Sequence, residues 1–394
     1  MKSELCCNLI PIARPDMIPT YVPLLKALKS EFKAVEKLTS LGSDKICPLF
    51  DVARIGKNIT EAKRFAGCPE LTTAYLNEVV SGIASVWSGR TAMVDLYHWM
   101  PNAKIESGEH VVPYVYSVLD TLGVSVIPVV GYDRWDNDEY RMAIQAIDFP
   151  ADRDYCIRLD STAIEDAAEP DFFLENIVAI VEGLEIEPSR CCVLIDFSDA
   201  TSTSVEFMLS RSAEILEILS DLGFNYYVTA GCSLPKSINE AVSKPDSTGT
   251  VIRREMVLWQ ALRELMPKVK IVYGDYGVRG PNTNEGVIST HTNGKIRYTI
   301  NKQFFIVRGH SMQLPGKGAQ MYTLARILMA SSHYMGEPFS WGDFQVGECS
   351  RQKIKGGAPQ WITIDTNHHL VYAVAEVEEF ERVLARRIAF STDS

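Results

Sequence analysis

Positive charge is in short supply in this chain. Across 394 residues, 39 Lys and Arg face 50 Asp and Glu, for a net charge of −11. Broad nucleic-acid binding leaves a basic footprint, so nucleic acid is not an expected partner. A small basic pocket within an acidic protein stays open. Long apolar runs are also missing. None approaches the 18 residues that a spanning helix needs, so no membrane partner is expected. Cysteine is present, nine in all, but never as CxxC. The thiols are scattered or adjacent (Cys6-Cys7, Cys191-Cys192). They are expected to be buried and reduced, as in a cytoplasmic protein, rather than a zinc site. HExxH, GxSxG, GxxxxGK[ST] and GxGxxG do not occur. Zincin, α/β-hydrolase, P-loop and dinucleotide-binding chemistry thereby lose their signatures. No repeat or low-complexity tract is visible.

What is present is globular. Hydrophobic residues make up 46% and charged residues 23%, so the chain can bury a large core without disulfides or a structural metal. Eight short apolar runs recur: Tyr21–Ala27, Lys45–Val52, Thr91–Tyr97, Val124–Tyr132, Tyr155–Asp160, Cys191–Phe197, Asn225–Gly231 and Lys270–Tyr276. They are nearly continuous rather than alternating, the pattern of parallel strands buried on both faces. Amphipathic helical spacing fills the gaps, as in Leu71, Tyr75, Val79, Val80 and Ile83. Gly123 and Gly223 stand where helices should stop. Run starts from residue 21 to residue 270 give about 36 residues per βα unit.

The expected fold is therefore α/β: a (β/α)8 TIM-like barrel over residues 21–290, with an open doubly wound sheet as the alternative. Residues 1–20 read as an N-terminal extension rather than a signal peptide. Residues 291–394 read as a hairpin and helical elaboration. Within it, Lys295–Thr299 and Phe304–Gly309 are expected to pair as a hairpin, followed by a helix over about Ala319–Met335. Ser340 with Asp343 fits a capping box. Lys353–Pro359 reads as a loop. A terminal helix over about His368–Ile388 takes Asn367 as its cap. His368 and His369 are then expected at a helix start, capping or solvent-exposed. Trp341, Phe344 and Trp361 are candidate exposed aromatics.

The ends of the eight runs, which in a barrel line one mouth, are unusually polar. They carry Lys26; Asp51; Asp95 then His98; Asp133 and Arg134; Arg158 and Asp160; Asp196 then Asp199; and, on the eighth run, Asp275 and Tyr276. A carboxylate in an apolar run is costly to bury without a partner. Arg297 and Arg308 of the hairpin are expected to fold over the same mouth. Two chemistries fit. Carboxylates hold a divalent metal, for instance Mg²⁺, while Arg and Lys grip an anion. Alternatively, a carboxylate serves as general acid or base while Lys26 or Arg158 neutralises developing charge. The structural alternative is that Asp–Arg and Asp–Lys pairs only satisfy each other or cap helices, as Asp199 does if it starts the next one. Asp275, Asp196, Asp160 and Lys26 are the catalytic candidates. Arg158, Arg297, Arg308, Tyr276, Asp51 and His98 are the ligand-binding candidates.

Several stretches, in order, resemble the beta protein family of phages and bacteria: YVPLLKALKSEFKAVEKL with KICPLFDV, RREMVLWQAL, VYGDYGVRGP, IRYT, FIVRG, HYMGEPFSWGD, and QWITIDTNHHL with the closing helix. The resemblance runs from about residue 20 to the end. It implies a role in phage–host conflict but no assigned reaction. Within the matching motifs Lys26, Glu31, Glu255, Asp275, Tyr276, Arg297, Tyr298, Arg308, Gly309 and Asp343 are the polar or special positions. Two functions of different kinds follow. One is a barrel enzyme, a metal-assisted hydrolase or lyase, acting on a small phosphorylated or anionic ligand. The other is a non-catalytic interaction component of a phage-defence or counter-defence system.

Overall fold

The computed structural model describes residues 18–148, 150, 152–281, 292–314 and 317–392. The extension expected over residues 1–20 lies mostly outside them. The eight apolar runs are the eight strands of a closed, all-parallel barrel. They are β1 (Tyr21–Lys26), β2 (Leu49–Asp51), β3 (Thr91–Asp95), β4 (Ser125–Gly131), β5 (Tyr155–Leu159), β6 (Cys191–Asp199), β7 (Tyr226–Cys232) and β9 (Ile271–Asp275). Tyr21–Pro23 of β1 pair with Tyr273–Asp275 of β9, which closes the ring.

Strand alternation divides each run between two cores. Inward side chains such as Val22, Leu24, Leu49, Met93, Val129, Cys156, Leu194, Val228 and Val272 fill the barrel. Outward ones such as Tyr21, Leu25, Phe50, Val94, Ile157, Ile195 and Tyr273 pack under the helices. The longer helices of that outer layer are α1 (Lys29–Glu36), α2 (Leu71–Trp87), α3 (Val111–Thr121), α4 (Asp138–Gln145), α5 (Ser161–Asp166), α6 (Pro170–Gly183), α7 (Val205–Ile218) and α8 (Arg254–Leu265). Gly123 and Gly223 follow their helices at φ +82° and +75°, where a side chain would be strained.

Two features were not legible as expected. A strand, β8 (Ser247–Ile252), lies between the seventh and eighth barrel strands and joins β10 (Asn293–Ile300) and β11 (Gln303–Ser311) in an antiparallel sheet of order β10-β11-β8. Its sequence, STGTVI, alternates between half-buried and exposed positions, so it lacks the continuous apolar signature of the barrel strands. Phe304 and Ile306 seat this sheet against Tyr276, Val278, Cys232 and Leu234 at the carboxyl end of the barrel. Its other face, including Ile296, Tyr298, Phe305 and Val307, packs on α9 (Gln320–Ala330) and α10 (Trp341–Ser350).

The terminal helix, α11, spans Ala358–Thr392 and begins well before His368. Asn367 is not its cap. It is buried inside the helix, where it accepts from Gly342 N at 2.9 Å and donates to Ala34 O at 2.9 Å. The β-branched stretch before it has low intrinsic helix propensity, and packing overrides that preference. Trp361, in the same stretch, is buried rather than exposed, while Phe344 is exposed as expected. Ser340 caps α10 by accepting from Asp343 N, as the capping box predicts. Leu370, Ala373, Val374 and Val377 of α11 belong to the layer between strands and helices. The last helix thus completes the barrel's outer ring between β9 and β1, and the sheet with α9 and α10 is inserted ahead of it.

Candidate functional site

The same alternation decides which strand-end residues meet. Lys26, Asp51, Asp95, Arg158 and Asp196 each stand two residues beyond an inward side chain (Leu24, Leu49, Met93, Cys156 and Leu194), so all five extend the barrel interior into its mouth. All five are buried.

Arg158 is the centre of this layer. Its Nη1 donates to Asp95 Oδ2 at 2.7 Å and its Nη2 to Asp196 Oδ2 at 2.7 Å. Nε adds a 3.0 Å bond to Asp196. Tyr276 OH stands 2.9 Å from Nη2 and donates to Asp196 Oδ2 at 2.6 Å. From above, the Tyr97 ring stacks 4.3 Å from the guanidinium carbon. Arg134, on the loop after β4, reaches Asp95 Oδ1 at 2.8 Å through Nη1. It has room because position 131 is glycine: a Cβ there would overlap the Arg134 guanidinium. Burial works against the Asp95 charge, but Arg134 and Arg158 hold its carboxyl below the usual range. Burial likewise opposes the Arg158 charge, and Tyr276, Asp196 and Asp95 more than offset it. The floor of the mouth is therefore two guanidinium groups neutralised by two carboxylates.

Above that floor is a second pair. His98 Nε2 lies 3.0 Å from Asp51 Oδ2, with the histidine side chain 32% exposed and the aspartate 4%. The hydrogen bond that His98 donates to Asp51 raises the His98 pKa above its ordinary value, against an opposing effect of burial. Asp51 Oδ1 is buried and has no hydrogen-bond partner among the described residues. Lys26, paired in register with Asp51, donates to Pro281 O at 3.2 Å. β6 ends in a bulge, and Ser198 there has φ +52°, a strained setting for serine. Its N–H donates to Asp196 Oδ1 at 2.8 Å.

Four expected site residues lie elsewhere or do something else. Asp160 reaches the mouth but caps α5, accepting from Ala163 N at 3.2 Å. Asp275 points outward, because it follows outward Tyr273 by two, while its neighbour Tyr276 points in. Adjacent strand residues cannot share a face. Asp275 accepts from Tyr21 OH and Tyr273 OH at 2.5 Å each, from Gly277 N at 2.9 Å and from Arg253 Nη2 at 3.4 Å. His369 Nε2 of α11 stands 3.0 Å from it. Burial alone would raise the Asp275 pKa, but His369, Arg253 and Tyr21 hold it well below the carboxylate range. Burial lowers the His369 pKa despite that contact. Arg297 is held by Asp365 at 3.0 Å and Val278 O at 3.1 Å, and Arg308 by Val242 O and Ser243 O at 2.5 and 2.6 Å. Neither is engaged with the residues of the mouth.

The two histidines expected at a helix start are instead fully buried ties. His369 also contacts Thr299 Oγ1 at 2.8 Å, and His368 contacts Asp343 Oδ2 at 2.8 Å and Thr299 O at 2.9 Å. Arg253, paired with Glu376 at 2.6 Å as well as Asp275, carried no warning in the sequence, since an arginine at the N-cap of an amphipathic helix is ordinarily at the surface. Arg134 was visible at a strand end, but its inward path depends on the glycine three residues earlier.

A Mg²⁺ shell does not fit this geometry. Asp95 and Asp196 already receive guanidinium donors, and among the described residues no group of three or more His, Cys, Asp and Glu is placed to hold a metal ion. No helix among them is long and apolar enough to cross a membrane. No curated protein matches the chain. The model of the Beta protein family matches residues 21–375. The order of motifs, the barrel and the span of that match agree, and the chain belongs to the Beta protein family.

Proposed function

We propose that the carboxyl-end mouth binds a small anionic ligand that also carries a hydroxyl or amine donor, and that His98 transfers a proton to or from it. The observation that carries this reading is the His98–Asp51 pair. Asp51 has one oxygen on His98 and one buried with no partner among the described residues. A buried acceptor left unsatisfied costs about 1–3 kcal/mol, and a ligand hydroxyl placed there removes that cost. His98, held above its ordinary pKa and partly exposed, faces the space where an anionic group would sit and favours it whenever the imidazole is protonated. Lys26 and His98 are close enough to influence each other electrostatically. Arg158 and Arg134, tied to Asp95 and Asp196, keep the floor rigid rather than grip the ligand. An aspartate that orients a histidine is a recurrent acid–base arrangement. A small phosphorylated, hydroxylated compound has the required chemistry.

The test is a thermal-shift panel of inorganic phosphate, small sugar phosphates and hydroxycarboxylates. A binder raises the melting temperature of the wild type, and His98→Ala or Asp51→Asn removes that rise. A flat panel, or a rise unchanged in both variants, overturns the reading. The family resemblance implies a setting in phage–host conflict for this ligand.

A second reading, an interaction component without catalysis, is favoured by apolar side chains at the surface, Phe390 of α11 at 78% exposure and Phe344 of α10 at 44%. If a phage-protection phenotype survives His98→Ala but is lost on Phe390→Ser and Phe344→Ser, this second reading replaces the first.

A further inference from the structure

A groove of about 1060 Å³ opens along α1 and shares no lining residue with the mouth. One wall is α1, and the others are the segment after β9, the start of α10 and the first turn of α11. Lys29, Lys33, Lys37, Arg279, Trp341 and Gln360 line it. Lys29 and Lys33 lie four residues apart on α1 and Lys37 follows at its C-cap. Successive lysines therefore rise about 6 Å along one helix face. Like charges at this spacing repel and destabilise a helix. Within the groove Glu36 offsets only Lys37, at 3.0 Å. Lys29 and Lys33 are exposed and form no ion pair among the described residues. Arg279 faces them from the other side, tied to Glu31 at 3.4 Å. Gly357, Pro359 and Gln360 bring the N-terminal end of the 35-residue α11 to the same space, with the positive end of its dipole. Trp341, half-buried, supplies an aromatic surface.

We propose that this groove is a nucleotide site, with phosphates along Lys29 and Lys33 and the base against Trp341. A row of cations beside an aromatic ring is the chemistry that holds a phosphate backbone and stacks a base. An acidic peptide would use the lysines but gain nothing from the ring. The groove shares no residue with the mouth, so either assignment stands or falls alone. The local excess of positive charge in a chain of net charge −11 makes the attraction local and salt-sensitive.

The experiment measures binding of ATP, ADP, a short oligothymidylate and a polyglutamate peptide by calorimetry at 50 and 200 mM salt. The site predicts that nucleotide or oligonucleotide binds the wild type, and binds more weakly at the higher salt. It predicts that Lys29→Glu with Lys33→Glu weakens binding by about tenfold or more, while Lys29→Arg with Lys33→Arg retains it. Tighter binding of the oligonucleotide than of ATP identifies a strand as the source, and equal or weaker binding identifies free nucleotide. The lysines are exposed, so an unchanged melting temperature shows that the charge-reversed variant is folded. Absence of nucleotide and oligonucleotide binding at low salt, equal affinity in the charge-reversed variant, or preference for polyglutamate overturns the proposal.

Discussion

Asp275→Asn separates a structural role from a catalytic one. The carboxylate ties the last barrel strand to the helix that closes the outer ring, through five donors and contacts: Tyr21, Tyr273, Gly277 N, Arg253 and His369. Asparagine keeps the shape but offers one acceptor oxygen and turns an N–H toward groups that donate. At least two buried donors lose their partner, at about 1–3 kcal/mol each. Arg253 keeps Glu376 but loses half of its compensation. The sum is about 4 kcal/mol. For a chain of 394 residues the unfolding entropy near the midpoint is about 0.8 kcal/mol/K, so the melting temperature should fall by about 5 °C. The pH dependence has a definite sign. The folded pKa of Asp275 is depressed, so its contribution is present above the unfolded value of about 4 and is lost as pH falls through the folded one. The gap between wild type and variant should narrow below about pH 4. Thermal melts followed by circular dichroism at pH 7 and below pH 4 read both effects. A variant that melts with the wild type at pH 7 refutes the pin, and one that loses mouth-ligand binding without losing stability restores Asp275 to the site.

The floor of the mouth should be just as intolerant. Gly131→Ala pushes Arg134 off Asp95, leaving part of a buried pair uncompensated. A loss of about 3 kcal/mol is expected in chemical denaturation, and a neutral result would mean that Arg134 relaxes freely. Arg158→Met leaves the buried Asp196 without its guanidinium partner and Asp95 with Arg134 alone, and should cost about 3–5 kcal/mol or prevent folding. Soluble expression with an unchanged midpoint would show that the network is not holding the barrel end. Glu255 is buried, and desolvation raises its pKa to about 7. The stability tied to its proton is full below the unfolded value of about 4.3 and lost as pH rises through 7, an effect of about 3 kcal/mol. Glu255→Gln, which retains an acceptor for Ser233, should therefore gain on the wild type between pH 5 and pH 8, and parallel melting curves over that range would refute it.

The barrel was legible because each strand is buried on both faces and so writes an unbroken apolar run, such as CCVLIDF. β8 was not, since STGTVI pairs at the edge of a sheet with alternate residues exposed. The start of α11 was hidden for another reason: WITIDT favours extended structure locally, and only contacts such as Thr363 Oγ1 to Ser30 O at 3.0 Å and Asn367 to Ala34 O show what overrides it. At the site, sequence placed Lys26, Asp51, Asp95, Arg158 and Asp196 at strand ends, and alternation carries them into one mouth. The same rule, applied to Asp275 and Tyr276, would have separated them. The place of Arg297 and Arg308 in the hairpin after the eighth run predicts a position over the mouth, but their carbonyl and carboxylate partners depend on tertiary packing that no local pattern records.

The most direct measurement is the binding of small hydroxylated phosphates to wild type and His98→Ala, followed by calorimetry across pH 6–8. The account predicts saturable binding to the wild type that weakens as pH rises and the raised-pKa imidazolium of His98 loses its proton, and little or none to the variant. Equal affinity in the two proteins, or affinity in the wild type that increases with pH, would contradict it.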